Sequence, residues 1–155
     1  MKLTPLRQWI CDTCGEIIKS PEEGWFEWYD DRKTSLQSGF RIVHHRRPCM
    51  YDEGVLRQQG KLVSDLNLTT VIGSDGLGNL LFHIELSEKG VRKLKNLNEF
   101  IEILRRLHIP YWEEARLCWE EAYKDGFHDK CSFDEEMLLS IISEYGKDEE
   151  VVNGQ

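Results

Sequence analysis

No stretch of this chain stays apolar for the roughly 20 residues that a membrane-crossing helix needs, so no membrane partner is expected. No secretory signal precedes the first cysteine: the opening residues carry Lys2 and Arg7 but no long apolar core. A phosphate-cradling loop is missing too. Gly73-Ser74-Asp75-Gly76-Leu77-Gly78 has neither the lysine nor the glycine spacing of one. No Ser-His-Asp set can be assigned, and there is no internal repeat or low-complexity segment. Nor is there any excess of positive charge. Residues 1–60 hold 9 basic and 9 acidic side chains, whereas residues 61–155 hold 11 and 19, so the whole net charge of -8 lies in the second part. A negative field repels phosphate and disfavours nucleic-acid binding by that part. The neutral first part stays open to it.

What is present is a set of soft ligands. The five cysteines are an odd number, and three fit a metal pattern better than a disulfide frame. Without a signal, a reducing, cytoplasmic setting is expected, where paired cysteines mean metal or redox chemistry. Cys11-Asp12-Thr13-Cys14-Gly15 turns two sulfurs the same way, with Gly15 supplying the backbone freedom. His44-His45-Arg46-Arg47-Pro48-Cys49 supplies a third sulfur and an imidazole. Cys11, Cys14, His44 and Cys49 therefore make a tetrahedral zinc set. Adjacent strand residues point to opposite faces, so one histidine binds. Apolar neighbours stand on both faces and do not decide which, so His45 is held as the alternate to His44. With four protein ligands the zinc is structural, a staple rather than a catalyst. Glu16, Glu27 and Asp52 are the carboxylates near enough in sequence to serve a catalytic alternative.

The pattern around these ligands is β. A short segment at Arg7–Ile10 leads into the first cysteine pair, and Glu16–Ile18 returns. Trp25–Tyr29 and Gly39–His45 are aromatic and β-branched runs that predict an antiparallel hairpin across a polar loop. Residues 62–68 alternate in part and read as an extended link. The period then changes. Leu77, Leu80, Leu81 and Ile84 predict a helix capped by Ser74, with a buried strand over 80–84 as the alternative. Asn96 with Glu99 predicts a capping box for a helix lined by Leu97, Phe100, Ile101, Leu104 and Leu107. Pro110 separates it from a helix burying Trp112, Ala115, Trp119, Ala122 and Tyr123, with Glu113, Glu114, Glu120 and Glu121 outward. Ser132 with Glu135 predicts the last capping box, with a stripe from Met137 to Tyr145. The expected fold is α+β: a zinc-binding β-module over residues 1–60, then an acidic portion of three to four helices over 61–155, packed together as one unit.

Residues 9–49 resemble a zinc ribbon or treble-clef finger, in which a knuckle and a hairpin hold one zinc. The resemblance implies protein, nucleic-acid or purely structural contacts. The chain departs from it in its second half, which is His-x-x-x-x-Cys rather than a second Cys-x-x-Cys. A fainter similarity joins Val43-His44-His45 and Pro48 to metal-finger nucleases. Val43 stands where their aspartate would be, and their downstream Asn and His are not found.

Three functions follow in order. The first is a non-enzymatic, zinc-stapled interaction or regulatory protein that binds another protein through its acidic helices or aromatic hairpin. The second is a nucleic-acid-binding finger using Arg32, Lys33, Arg41, Arg46 and Arg47. The third is a metal-dependent hydrolase or nuclease. Trp25, Trp28 and Tyr29 read as filling of a small β-core, with a ligand platform as the alternative. His128 with Cys131 is too small a pair to make a second metal site.

Overall fold

The computed structural model describes residues 2–127 and 133–146. The proposed pair His128 and Cys131, and the cap Ser132, lie outside the described residues. The fold is α+β, as the sequence predicts. Two compact units are present, Leu6–Ile109 and a unit formed by Met1–Pro5 with Pro110–Gln155. Gly60 is a turn inside the first unit, at a left-handed φ of +75.

In the first unit, β1 (Trp9–Ile10) and β2 (Ile17–Ile18) pair antiparallel around the knuckle. The hairpin follows as β3 (Gly24–Asp31) and β4 (Leu36–His44), with Trp25 opposite Val43 and Phe26 opposite Ile42. A bulge between Glu27 and Tyr29 shifts the register. Helix α1 (Glu53–Gln58) is a single short element that no sequence period announced; Asp52 caps it by accepting the Val55 N–H at 3.0 Å. The stretch read as a link is β5 (Lys61–Asn67), and it pairs with β3 along its whole length. The pleat puts Leu62 and Leu66 on one face of this edge strand, and both are exposed. Helix α2 (Gly73–Glu88), strand β6 (Lys93–Leu94) and helix α3 (Leu97–His108) complete the unit. The sheet order is β5-β3-β4-β6, with β6 parallel to β4.

The helical option over 80–84 is the one realised, but the helix faces differ from those expected. Ile72, not Ser74, occupies the cap of α2, and no side chain caps it. Its buried positions are Gly76, Leu80 and His83, while Leu77 and Leu81 are exposed. Gly76 sets this rotation: any Cβ there would collide with the Val71 backbone, so the helix lies against the chain on its glycine side. In α3, Asn96 caps by accepting Asn98 N–H at 3.0 Å, yet Glu99 does not close the box. Its carboxylate instead accepts the Phe40 N–H of β4 at 3.0 Å. Leu97 is exposed, and Arg106 is buried on this helix in its place.

The core lies between the sheet and these two helices. Phe26, Trp28, Phe40 and Ile42 face Leu80, Phe100, Ile103 and Leu107. Phe40 meets Phe100 edge-on at 5.1 Å between centroids, a favoured aromatic geometry. Trp28 is thus core rather than platform. Among these rings His83 is buried, with Nε2 against Gln37 Oε1 and its ring 5.0 Å from Phe100. Burial holds its imidazole below the ordinary value.

In the second unit the expected single helix is broken. It runs as α4 (Trp112–Ala115), a 3-10 turn (Arg116–Cys118) and α5 (Trp119–Lys124). Glu113 and Glu114, expected outward, are buried. Arg116 reaches back three residues to both Glu113 oxygens at 2.9 Å, a spacing that the tighter 3-10 winding brings into line. Glu114 accepts the Leu3 N–H at 2.7 Å. Both carboxylates are therefore satisfied, which is what permits their burial. Tyr123 is half exposed, contrary to the predicted stripe. Helix α6 (Glu135–Tyr145) begins two residues later than predicted, with Asp134 as its cap to Met137 N–H. Among the described residues no helix is long and apolar enough to cross a membrane.

Candidate metal centre

The knuckle is a turn closed by its own backbone. Gly15 N–H donates to Cys11 O and Cys11 N–H to Glu16 O, both at 2.9 Å. Gly15 sits at φ +73, a left-handed position that other residues occupy at a cost. Asp12 then docks this turn on β4. Its N–H donates to Ile42 O at 2.9 Å, and its carboxylate accepts the Ile42 N–H at 2.7 Å. That pairing lays Cys11 beside the last residue of β4, His44, whose N–H points at Cys11 Sγ at 3.4 Å. Past the strand, Cys49 N–H closes a turn onto Arg46 O at 3.0 Å, and Thr13 Oγ1 donates to Cys49 O at 2.6 Å. Three separate segments thus deliver their ligands to one point.

Cys11, Cys14, His44 and Cys49 present ligand atoms that all lie within 4.8 Å of one another, close enough to hold a metal ion. Cys14 Sγ is 3.4 Å and Cys49 Sγ 3.9 Å from His44 Nδ1. The cysteines are free thiols, and no disulfide competes for them. Cys11, His44 and Cys49 are buried, whereas Cys14 is exposed. His44 Nε2 faces Ile17 O at 3.3 Å; a carbonyl only accepts, so a proton on Nε2 would leave Nδ1 free toward the sulfurs. His45, the alternate, is exposed and stacks on Trp25 with 3.9 Å between centroids, away from this cluster.

Comparison with protein-family models, curated proteins and solved structures finds no match for this chain.

A guanidinium, that of Arg46, lies against two of the three sulfurs, where it would offset their charge as thiolates. Its Nε lies 3.4 Å from Cys49 Sγ and its NH2 3.7 Å from Cys14 Sγ. The same guanidinium pairs with Glu16 at 2.6 Å and holds that carboxyl below its usual range. The Cys14 thiol is lowered to about 7, chiefly by the backbone N–H of Glu16, with Arg46 adding to the effect. Burial pushes the Cys49 thiol up, against the pull of Arg46.

Behind the ligands stands a support that motif spacing did not disclose. Arg106 of α3, 4% exposed, bonds Asp12 at 2.7 Å and Ile10 O at 3.1 Å. Its own carbonyl accepts Trp9 Nε1–H at 3.0 Å. The knuckle is thereby tied to a helix more than ninety residues away in sequence. An aspartate between two ligand cysteines was the one visible sign.

The five basic residues proposed for nucleic acid do not form a single patch. Arg32 and Lys33 sit in the turn at one end of the hairpin, and Arg46 and Arg47 follow its other end. A strand of nine residues separates them, roughly 25 Å at about 3.3 Å per residue. Arg41 is engaged: it bonds the fully buried Glu27 at 2.7 Å, donates to Cys49 O at 3.1 Å and stacks 3.5 Å over Tyr51. Of the three carboxylates considered for catalysis, Glu16 is paired with Arg46 and Asp52 caps α1. Glu27 holds Arg41 and the Tyr51 N–H, the latter at 3.0 Å.

Proposed function

We propose that this chain is a non-enzymatic, zinc-stapled interaction protein. Its centre of three cysteines and one histidine would hold the knuckle against the β3–β4 hairpin, so that other surfaces can be presented rigidly to a protein partner. The observation that carries the reading is the ligand spacing. Zinc–sulfur bonds of about 2.3 Å and zinc–nitrogen bonds of about 2.0 Å imply tetrahedron edges of about 3.5–3.8 Å. The 3.4 and 3.9 Å from His44 Nδ1 to Cys14 and Cys49 lie near the nitrogen–sulfur edge of about 3.5 Å, and all four ligand atoms lie within 4.8 Å of one another. Soft thiolates with one imidazole favour zinc over magnesium, calcium or manganese. All four positions of such a tetrahedron are filled by protein, which leaves none for a reacting water. Zinc would supply cross-linking here, and Arg46 would offset the net negative charge of three thiolates and one divalent cation.

Cobalt(II) substitution tests this directly. The expected result is one cobalt per chain, with the intense thiolate charge-transfer and ligand-field bands of a tetrahedral site made by three sulfurs and one nitrogen. Replacing Cys49 by serine should abolish those bands, whereas His45→Ala leaves them intact. A five- or six-coordinate spectrum, with bound water, would overturn the staple and favour hydrolysis. A spectrum lost in His45→Ala would overturn the ligand assignment.

A further inference from the structure

A shallow apolar depression, a cleft open to solvent, lies between α5 and α6. Trp119 and Tyr123 of α5 line it, with Met137 and Ile141 of α6, and Phe127 and Phe133 complete the apolar wall. Tyr123 and Phe133 are 49% and 42% exposed, so this is apolar surface in water rather than closed core. The unit that carries it is strongly acidic. The unit that holds the cleft has 5 basic and 13 acidic side chains, the whole net charge of -8, while the other unit balances at 15 and 15. On the two helices themselves stand Glu120, Glu121, Glu135, Glu136 and Glu144. The single lysine among them, Lys124, is paired with Glu120 at 2.9 Å.

We propose that this cleft docks a lysine- or arginine-rich amphipathic helix of a partner protein, its apolar residues seated on Trp119, Tyr123 and Met137 and its cations facing the glutamates. A helix is the matching shape. The cleft is floored by two helices whose lining residues repeat at i, i+4 (Trp119 with Tyr123, Met137 with Ile141), and a third helix laid between them follows that spacing. An aromatic and methionine lining adapts to varied apolar anchors. The sign of the charge selects the occupant. A second copy would bring another -8 against the first and is disfavoured. The proposal names the partner chemistry for the interaction protein argued above, and rests on that reading for its biological sense. The physical claim stands apart from the zinc.

The test uses the full-length, metal-loaded chain with its methionine methyl groups carbon-13 labelled. Only Met1, Met50 and Met137 report, and Met50 follows Cys49 directly. The probe is a leucine–lysine peptide of about 18 residues, five helical turns, with leucines at helical spacing. A sequence-scrambled version and a leucine–glutamate version serve as controls. The Met137 methyl is expected to shift saturably with the lysine peptide and with neither control, while Met50 stays in place. Tyr123→Lys should weaken binding about tenfold, the loss of one anchor plus a reversed field. Glu136→Lys should weaken it and flatten its salt dependence. Glu88→Lys, on exposed surface of the other unit, should change nothing. A silent Met137 overturns the proposal, as does an equal response to the scrambled or acidic peptide. A Met137 shift that grows with protein concentration alone overturns it in favour of self-association. Failure of the zinc reading would appear in the cobalt spectrum and leave this titration unaffected.

Discussion

Replacing Arg106 by methionine asks whether a helix buttresses the metal knuckle. The guanidinium is 4% exposed, and Asp12, its partner at 2.7 Å, is 25% exposed. Removing one member of a buried ion pair strands the other charge, at a cost of about 3–5 kcal/mol when both are fully enclosed. Asp12 keeps its bond from Ile42 N–H and some water, so about 2–4 kcal/mol is expected here. Methionine preserves the packing of the stem, so the loss reports the bonds to Asp12 and Ile10. With a slope of about 2 kcal/mol per molar urea, the midpoint should fall by about 1–2 M. Urea titration of the zinc-loaded chain by tryptophan fluorescence measures this, with hydrogen exchange at residues 9–44 as the local readout. Because the pair positions the segment between two ligands, metal affinity should drop about 10- to 100-fold. Asp12→Asn combined with Arg106→Met should cost less than the two singles added, by about 1–3 kcal/mol. A midpoint shift below about 0.3 M, or strict additivity, would refute the buttress.

Three further perturbations have signs that follow from the packing. Gly76→Ala gains helix propensity of about 1 kcal/mol on an open helix, yet here it must destabilise, because its Cβ meets the Val71 backbone; a raised melting temperature contradicts the docking of α2. His83 has its pKa lowered by burial from 6.5, so below that pH the unfolded chain binds a proton that the fold refuses. Stability should therefore be full above pH 6.5 and fall on acidification, by up to about 1.4 kcal/mol per pH unit, and His83→Gln should lose that component when the two proteins are compared in thermal melts across pH. Glu27 has the opposite linkage: burial raises its carboxyl above 4.5 against the pull of Tyr51 N–H and Arg41. Its contribution is largest in acid and is lost as pH climbs through the raised value, so the stability gap between native and Glu27→Gln should shrink with rising pH; a widening gap contradicts the sign.

The knuckle and the hairpin were legible because their signals are local. Cys-x-x-Cys-Gly marks a turn by itself, and two aromatic runs around a polar loop mark two paired strands. Which histidine binds was not legible. Val43 and Ile42 are both fully buried, so apolar neighbours stand on both sides of the strand; the two imidazoles are told apart by His44 lying against the sulfurs and His45 stacking on Trp25. Strand β6 has two residues and α1 has six, too few to show a period. The faces of α2 and α3 were read from their leucines, but a glycine and an arginine set them: Gly76 by close approach, Arg106 by a bond across 94 positions. Glutamates 113 and 114 were placed outward on charge alone. A charge can be enclosed when its acceptors are used: Arg116 stands at the i+3 spacing from Glu113, but the Leu3 N–H that Glu114 accepts leaves no trace in spacing.

The strand order β5-β3-β4-β6 has a consequence for the chain as it is made. Every candidate ligand has been synthesised by Cys49, but both outer strands come later, the last of them ending at Leu94. A nascent chain can thus bring its four candidate ligands together while the inner hairpin still shows both flanks, and Arg106 arrives later, to brace a knuckle already formed.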